Sequence, residues 1–141
     1  MKKVLILIGL FAVVIVAQSV YFALATAPFA DGYVVNTLTG EATPPVKTGN
    51  ATEAVLTKLC AQNVTSEAVC FNGSMTEVEE LMKRLFVKPV KTETVGGSNI
   101  VYGYSSLLKG YRYVGGAKVN FMASINGTCV VVGTPLIEGA F

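Results

Sequence analysis

Ser105 and Ser106, with Lys109 close behind, are the best-spaced residues in this 141-residue sequence for supplying a nucleophile and a base. A serine attacks only when a base within hydrogen-bond reach takes its proton, and the usual base is missing because the sequence contains no histidine. Adjacency in a loop is cheap, so a turn explains the three residues better than a Ser-Lys site does. Glu77, Glu79 and Glu80 are followed by Lys83, Arg84 and Lys88, an order that suits the solvated face of a helix rather than a catalytic carboxylate pair. Cys60, Cys70 and Cys129 are separated, with no histidine or C-x-x-C, and fall short of a zinc site; the scattered acids lack the spacing of a calcium loop. Gly96-Gly97 and Gly115-Gly116 stand at no strand-to-helix transition and carry no GK[ST], so they are not phosphate loops. The expectation is a protein that is not an enzyme and takes neither metal nor cofactor.

The residues that could recognise something are aromatic. Tyr102 and Tyr104 share one face if extended, as do Tyr111 and Tyr113, so pairing across 105–110 predicts a ladder of four rings beside Lys109 and Arg112. Ordinary cross-strand packing is the plainer explanation, and a partner surface formed by Tyr102, Tyr104, Tyr111, Tyr113 and Arg112 is the functional one. Nucleic acid is not the expected partner. Eleven Lys and Arg stand against nine Asp and Glu, and setting aside Lys2 and Lys3 leaves the rest neutral at nine against nine.

The composition points to lipid: 52% of residues are hydrophobic, 14% are charged and mean hydropathy is +0.55. Residues 4–27 carry no charge, and as a helix would reach about 36 Å against a hydrocarbon core of about 30 Å. About fourteen Val, Leu, Ile and Phe side chains at roughly −0.3 to −0.6 kcal/mol each favour insertion by about 4 to 8 kcal/mol. Lys2 and Lys3 precede the run and the next Lys or Arg is Lys47, which predicts a single-pass protein with a cytoplasmic amino end and an exterior remainder. The small residues Ala23, Ala25 and Ala27 also allow a cleaved secretory signal, and the chain would then be secreted; the length of the run and Pro28 favour an uncleaved anchor.

An exterior location agrees with two further features. Four of the seven asparagines, Asn50, Asn63, Asn72 and Asn126, begin Asn-x-Ser/Thr where chance gives about one, which predicts a glycosylated surface. Cys60 and Cys70 flank what reads as a short loop, and a bridge closing about ten residues would stabilise by roughly 2.5 to 3 kcal/mol. Pairing of either with Cys129 gains only about 1.6 kcal/mol from the longer loop, so connectivity stays open; Cys129 reads first as a small buried apolar side chain.

These groups need elements to hold them. The sequence divides into an anchor over 1–27, a linker over 28–49 containing at most one short strand near 33–38, and a domain over 50–141. Asn50 and Glu53 have capping-box character ahead of a short helix to about Gln62, and a capping role makes Asn50 the least suited of the sequons to carry a glycan. Ser74-x-x-Glu77 caps a second helix whose apolar residues Met75, Val78, Leu81, Met82, Leu85 and Phe86 recur at helical spacing until Pro89 stops it; Glu79/Lys83 and Glu80/Arg84 are its i,i+4 pairs. Beyond Val90 the period becomes two, and Gly96-Gly97, Gly115-Gly116 and Asn126-Gly127 divide it into hairpins. The fold class is therefore α+β: an N-terminal transmembrane helix, then two short helices packed on a four- or five-stranded antiparallel β-meander.

Residues 73–89 and the strands after them resemble the helix-then-meander pattern of BamE/SmpA-like envelope lipoproteins, although the Gly-Met-Thr junction is interrupted by Ser74 and no lipid-bearing cysteine follows the apolar run. An apolar N-terminal helix carrying a small β domain is similar to pilins, without their cleavage site after Lys3 or a glutamate early in the run. These features lead to one expectation: a non-catalytic, membrane-anchored exterior subunit that works through protein contacts with other membrane or envelope subunits, copies of itself included. A subunit of an extracellular pilus-like filament is the alternative, joined through its apolar helix or by strand addition near 33–38.

Overall fold

The computed structural model describes residues 1–29, 31–37, 46–48 and 64–137, with the backbone alone described for 19, 33–37 and 46–48. The architecture is α+β. Helix α1 (Lys2–Thr26) is followed by strands β1 (Gly32–Thr37), β2 (Val46–Thr48) and β3 (Val64–Asn72), then by helix α2 (Met75–Arg84). Strands β4 (Lys88–Val95), β5 (Ser98–Tyr104), β6 (Arg112–Val114), β7 (Ala117–Val119), β8 (Phe121–Asn126) and β9 (Cys129–Thr134) complete the described order. The main sheet is antiparallel with strand order β2-β1-β3-β9-β8-β5-β4, and β6 and β7 form a separate hairpin.

The meander expected after Val90 is present as β4-β5-β8-β9, with β6–β7 set between β5 and β8. Val95 and Ser98 pair across Gly96 (φ 56°) and Gly97 (φ 82°), and Val114 and Ala117 pair across Gly115 (φ 57°) and Gly116 (φ 82°). Two successive positive φ values are what a two-residue hairpin of matching twist requires, and glycine adopts them without a Cβ clash.

Two expectations for the amino-terminal half are corrected. Residues 64–72 are a central strand rather than a loop beside Cys70: β3 pairs with β1 on one side and β9 on the other. The period of two is hidden there because both faces are covered. Val69 and Phe71 point into the core, while Ser66 and Ala68 are buried on the opposite face. The stretch 28–49 is likewise not a linker standing apart from the domain, since β1 and β2 extend the sheet. The short helix expected over 50–62 lies outside the described residues.

The core has a second source besides α2. Phe22 and Ala23, near the end of α1, are 1% exposed and join Val69, Phe71, Val78, Leu81, Phe121, Val130 and Val132 in one cluster. Two polar groups ease the fit. The Thr26 hydroxyl donates to the carbonyl of Phe22 at 2.7 Å, and the Tyr21 hydroxyl donates to the carbonyl of Arg84 at 2.6 Å. The Arg84 guanidinium also lies 5.1 Å from the centre of the Phe29 ring, which in turn is 5.9 Å from Phe71. On the opposite face Ile137 closes over Gly133, where a Cβ would meet it at 3.0 Å.

Helix α2 begins and ends on side-chain and backbone devices that are visible residue by residue. Ser74 Oγ accepts from the Thr76 N–H, while Glu77 Oε2 accepts from the Ser74 N–H at 2.7 Å and the Ser74 hydroxyl at 2.6 Å, the capping box the sequence predicts. The expected Glu80–Arg84 pair forms at 2.9 Å. The Ser74 hydroxyl and then its N–H hold the Glu77 carboxyl below its ordinary 4.5. Its contribution is therefore present above that value and lost as pH falls through the folded pKa. Ser74→Ala is expected to lower stability by about 1 kcal/mol at neutral pH, with the difference from the parent chain narrowing in acid; paired urea titrations across pH check both.

At the other end, Phe86 N–H donates to the Lys83 carbonyl and Val87 N–H to the Met82 carbonyl, a Schellman closure. Phe86 occupies the left-handed position at φ 52° that favours glycine, and its ring is 70% exposed. Removing that strain should outweigh the little packing lost, so Phe86→Gly is expected to raise stability by about 1 kcal/mol, read as a higher urea midpoint at unchanged slope.

Candidate functional site

The Ser105–Lys109 turn is built around a buried asparagine. Asn120 is fully buried, its Oδ1 accepts the Ser105 N–H at 2.8 Å, and its Nδ2 donates to the carbonyls of Ser105 at 2.7 Å and Gly110 at 3.1 Å, with Leu108 at 3.3 Å. Its backbone is tied on both sides: the N–H donates to Gly103, and the carbonyl accepts the Thr134 hydroxyl at 2.6 Å. Ser105, itself buried, donates its hydroxyl to the Leu85 carbonyl at 2.5 Å and accepts the Leu107 N–H. This serine is fully used in fixing the turn. Asn120 carries no sequence signal, since it belongs to no sequon and alternates with Phe121 on an ordinary strand.

That turn breaks the aromatic ladder. Tyr102 and Tyr104 lie on β5, where Tyr102 pairs with Lys91 and Met122, and Tyr104 pairs with Lys88. Tyr113 pairs with Lys118 in the β6–β7 hairpin, and Tyr111 immediately precedes it. The expected four-ring stack is thus two separate pairs, because residues 105–110 turn aside under Asn120 instead of closing a hairpin between the tyrosines. Tyr102 is buried, and its hydroxyl donates to Glu93 Oε1 at 2.7 Å, with Lys91 Nζ 2.8 Å from Glu93 Oε2. Lys91, then Tyr102, hold the Glu93 carboxyl below its ordinary 4.5, while burial and then Glu93 hold the Tyr102 phenol above 10.0. Tyr104 is half-buried.

The exposed pair is Tyr111 and Tyr113, 43% and 64% accessible, packed edge to face at 5.5 Å. Lys118 Nζ sits 4.5 Å from the centre of the Tyr111 ring, and Arg112 donates to the Tyr111 carbonyl at 3.1 Å. Rings held against one another with cations alongside present a surface that is apolar, cationic and rigid.

The remaining candidates disperse. Asn72 and Asn126 are exposed at strand ends and both stand opposite Cys129 in register, so the three form one row across β3, β9 and β8. Asn50, Asn63 and Cys60 lie outside the described residues, and with them the proposed Cys60–Cys70 bridge. Cys129 is exposed at the start of β9, which corrects the expectation of a buried side chain; its register partners Asn72 and Asn126 are themselves exposed strand ends. Cys70 and Cys129 share a face two register positions apart and are not bridged to one another. Among the described residues no group of three metal-ligating side chains gathers.

The other exposed apolar surface is α1 itself. Every large apolar side chain from Val4 to Val16 is between 47% and 69% exposed, all round the helix. The helix bends by 47° between Lys2–Gln18 and Val20–Thr26; neither half alone is long and apolar enough to cross a membrane, and the two together are, by length and composition. Comparison with known proteins brings no relative: no protein-family model, no curated protein and no solved structure matches this chain.

Proposed function

We propose that this chain is a non-catalytic subunit anchored in a membrane by the first part of α1, with its β domain on the exterior side, where it works through contacts with other subunits. One observation carries the reading: α1 is apolar and exposed around its whole circumference over its first four turns, bends by 47° after Gln18, and then enters the hydrophobic core of the domain. A helix apolar on every side has no stable place in water. Lys2 and Lys3 ahead of it favour a cytoplasmic amino end, and exposed Asn72 and Asn126 suit an exterior surface that accepts glycans.

The test is extraction and sidedness. The full chain should stay in the pellet after alkaline carbonate washing, and an impermeant maleimide should reach Cys129 in sealed cells after mild reduction. Release by carbonate, or labelling only after lysis, would remove the proposal.

The continuity of α1 from its free half into the packed half also favours a second reading, a subunit of a pilus-like filament in which free halves bundle into a shaft. Strand addition through 33–35 is not its joint, because that part of β1 is paired on both sides. Shed filaments containing this chain would support that reading; a monomer in mild detergent, with no filament on the cells, would count against it.

A further inference from the structure

We infer that the end of the domain from which the anchor leaves is a lipid-headgroup docking surface, made by Phe86, the 105–110 turn and the β6–β7 hairpin, which seats the domain on the phosphates of the bilayer that holds α1. The inference rests on the anchoring reading and adds to it where the domain sits and which residues hold it there.

The orientation follows from the contacts along α1. Phe29 lies against Phe71, and the Asp31 N–H donates to the Cys70 carbonyl, so the end of α1 reaches the end of the sheet marked by Asn72. Earlier along the helix, Tyr21 reaches Arg84 at the end of α2, next to Leu85, whose carbonyl binds Ser105. The free half of α1 therefore departs from the Ser105 end of the sheet. The turns Gly96-Gly97 and Gly127-Thr128 lie at the far end.

Side chains divide along the same axis. At the anchor end, Phe86 is 70% exposed, Tyr113 64% and Leu107 39%, and exposed Lys88, Lys109, Arg112 and Lys118 surround them. Among the described residues, the surface acids not ion-paired in the contacts above stand elsewhere: Asp31 reaches Asn72, and Glu77 and Glu79 are in the first turns of α2, while Glu67, opposite Thr134 on β3, is buried within the fold. Aromatic rings with long basic side chains beside them match the zone where hydrocarbon gives way to headgroup phosphate. Phe86 strengthens the case, because its ring is kept outward at a left-handed position where glycine would relieve the backbone.

Length favours the contact. The free apolar stretch from Val4 to Gln18 spans about 22 Å, against about 30 Å of hydrocarbon. With Lys2 and Lys3 held at the cytoplasmic face, the shortfall draws the domain end down onto the outer headgroups.

The sequence has no tryptophan, so a single introduced one reports its own depth. The full chain is reconstituted in phosphatidylcholine vesicles containing about 30% phosphatidylglycerol and lipids brominated at known depths. Tyr113→Trp should be quenched by shallow bromines, and Phe11→Trp by deep ones. Lys109→Glu, Arg112→Glu and Lys118→Glu together should cut the Tyr113→Trp quenching by about twofold or more, as should omitting the anionic lipid. Phe86→Gly should cut it too while raising the urea midpoint, which separates docking from folding. Deep quenching of Phe11→Trp without any quenching of Tyr113→Trp would overturn the docking surface alone and leave the patch to a protein partner. Undiminished quenching after charge reversal would overturn it as well. Loss of Phe11→Trp quenching would instead bring down the anchoring reading beneath it.

Discussion

A chain beginning at Pro28, the product that signal cleavage after Ala27 would leave, is expected to lose its cooperative folding transition. Cleavage there takes away Val20, Phe22 and Ala23, three members of the buried core, and with them the Tyr21 hydroxyl that satisfies the Arg84 carbonyl at the end of α2. Truncating one buried phenylalanine to alanine costs about 3 to 5 kcal/mol. Whole domains are stable by only about 5 to 15 kcal/mol, so losing all three side chains consumes most or all of the stability. The point variants make the same argument without removing the leading helix. Phe22→Ala should lower stability by about 3 to 5 kcal/mol, whereas Leu24→Ala, at a residue 57% exposed, should stay within about 0.5 kcal/mol of the parent. Urea titrations in one detergent, followed by near-ultraviolet dichroism, compare the two. Equal midpoints would mean that α1 is not part of the core.

Asn120→Ala is expected to be the most damaging single change within the sheet, at about 3 to 5 kcal/mol. It deprives the buried Ser105 N–H of its acceptor and leaves the buried carbonyl of Ser105, and the part-buried carbonyl of Gly110, without their donor. The consequence reaches the surface. Residues 105–110 set the course of the β6–β7 hairpin, so the exposed rings of Tyr111 and Tyr113 should lose their fixed position as stability falls. Asn120→Asp keeps the acceptor for Ser105 but sets a carboxylate against those same carbonyls. Burial and the carbonyls would raise its folded pKa, so that variant should be most stable in acid and weaken as pH rises through that pKa. Urea midpoints of both variants across pH, with the line widths of hairpin amides by NMR, report the two effects.

Much of the fold was legible where one residue type has one physical use. Ser74 with Glu77 announced the start of α2, and paired glycines announced two hairpins, because few other residues serve a helix cap or two successive positive φ values. The strand β3 was hidden because burial of both faces erases alternation, and Glu67, buried within it, argues locally against a core strand. The entry of α1 into the core was hidden for a related reason. Valine, phenylalanine and alanine fit lipid and protein core equally well, so the apolar run from Val4 to Ala27 does not reveal where one environment ends. Only the fold separates the exposed Val4–Val16 side chains from buried Val20, Phe22 and Ala23.

The surface residues were partly legible. Of the five residues expected to form one partner surface, Tyr111, Tyr113 and Arg112 are exposed, but the four-ring ladder required a hairpin across 105–110. Whether such a segment closes or turns aside depends on Asn120, a residue that looks like any other polar position on an alternating strand.

The central claim is that the leading helix is retained, with its first part in the bilayer and its last turns in the domain. Intact mass of the native chain recovered from membranes tests it most directly. A species still carrying residues 2–27, with any glycans added to its mass, is the predicted result; one beginning at Thr26 or Pro28 would contradict it.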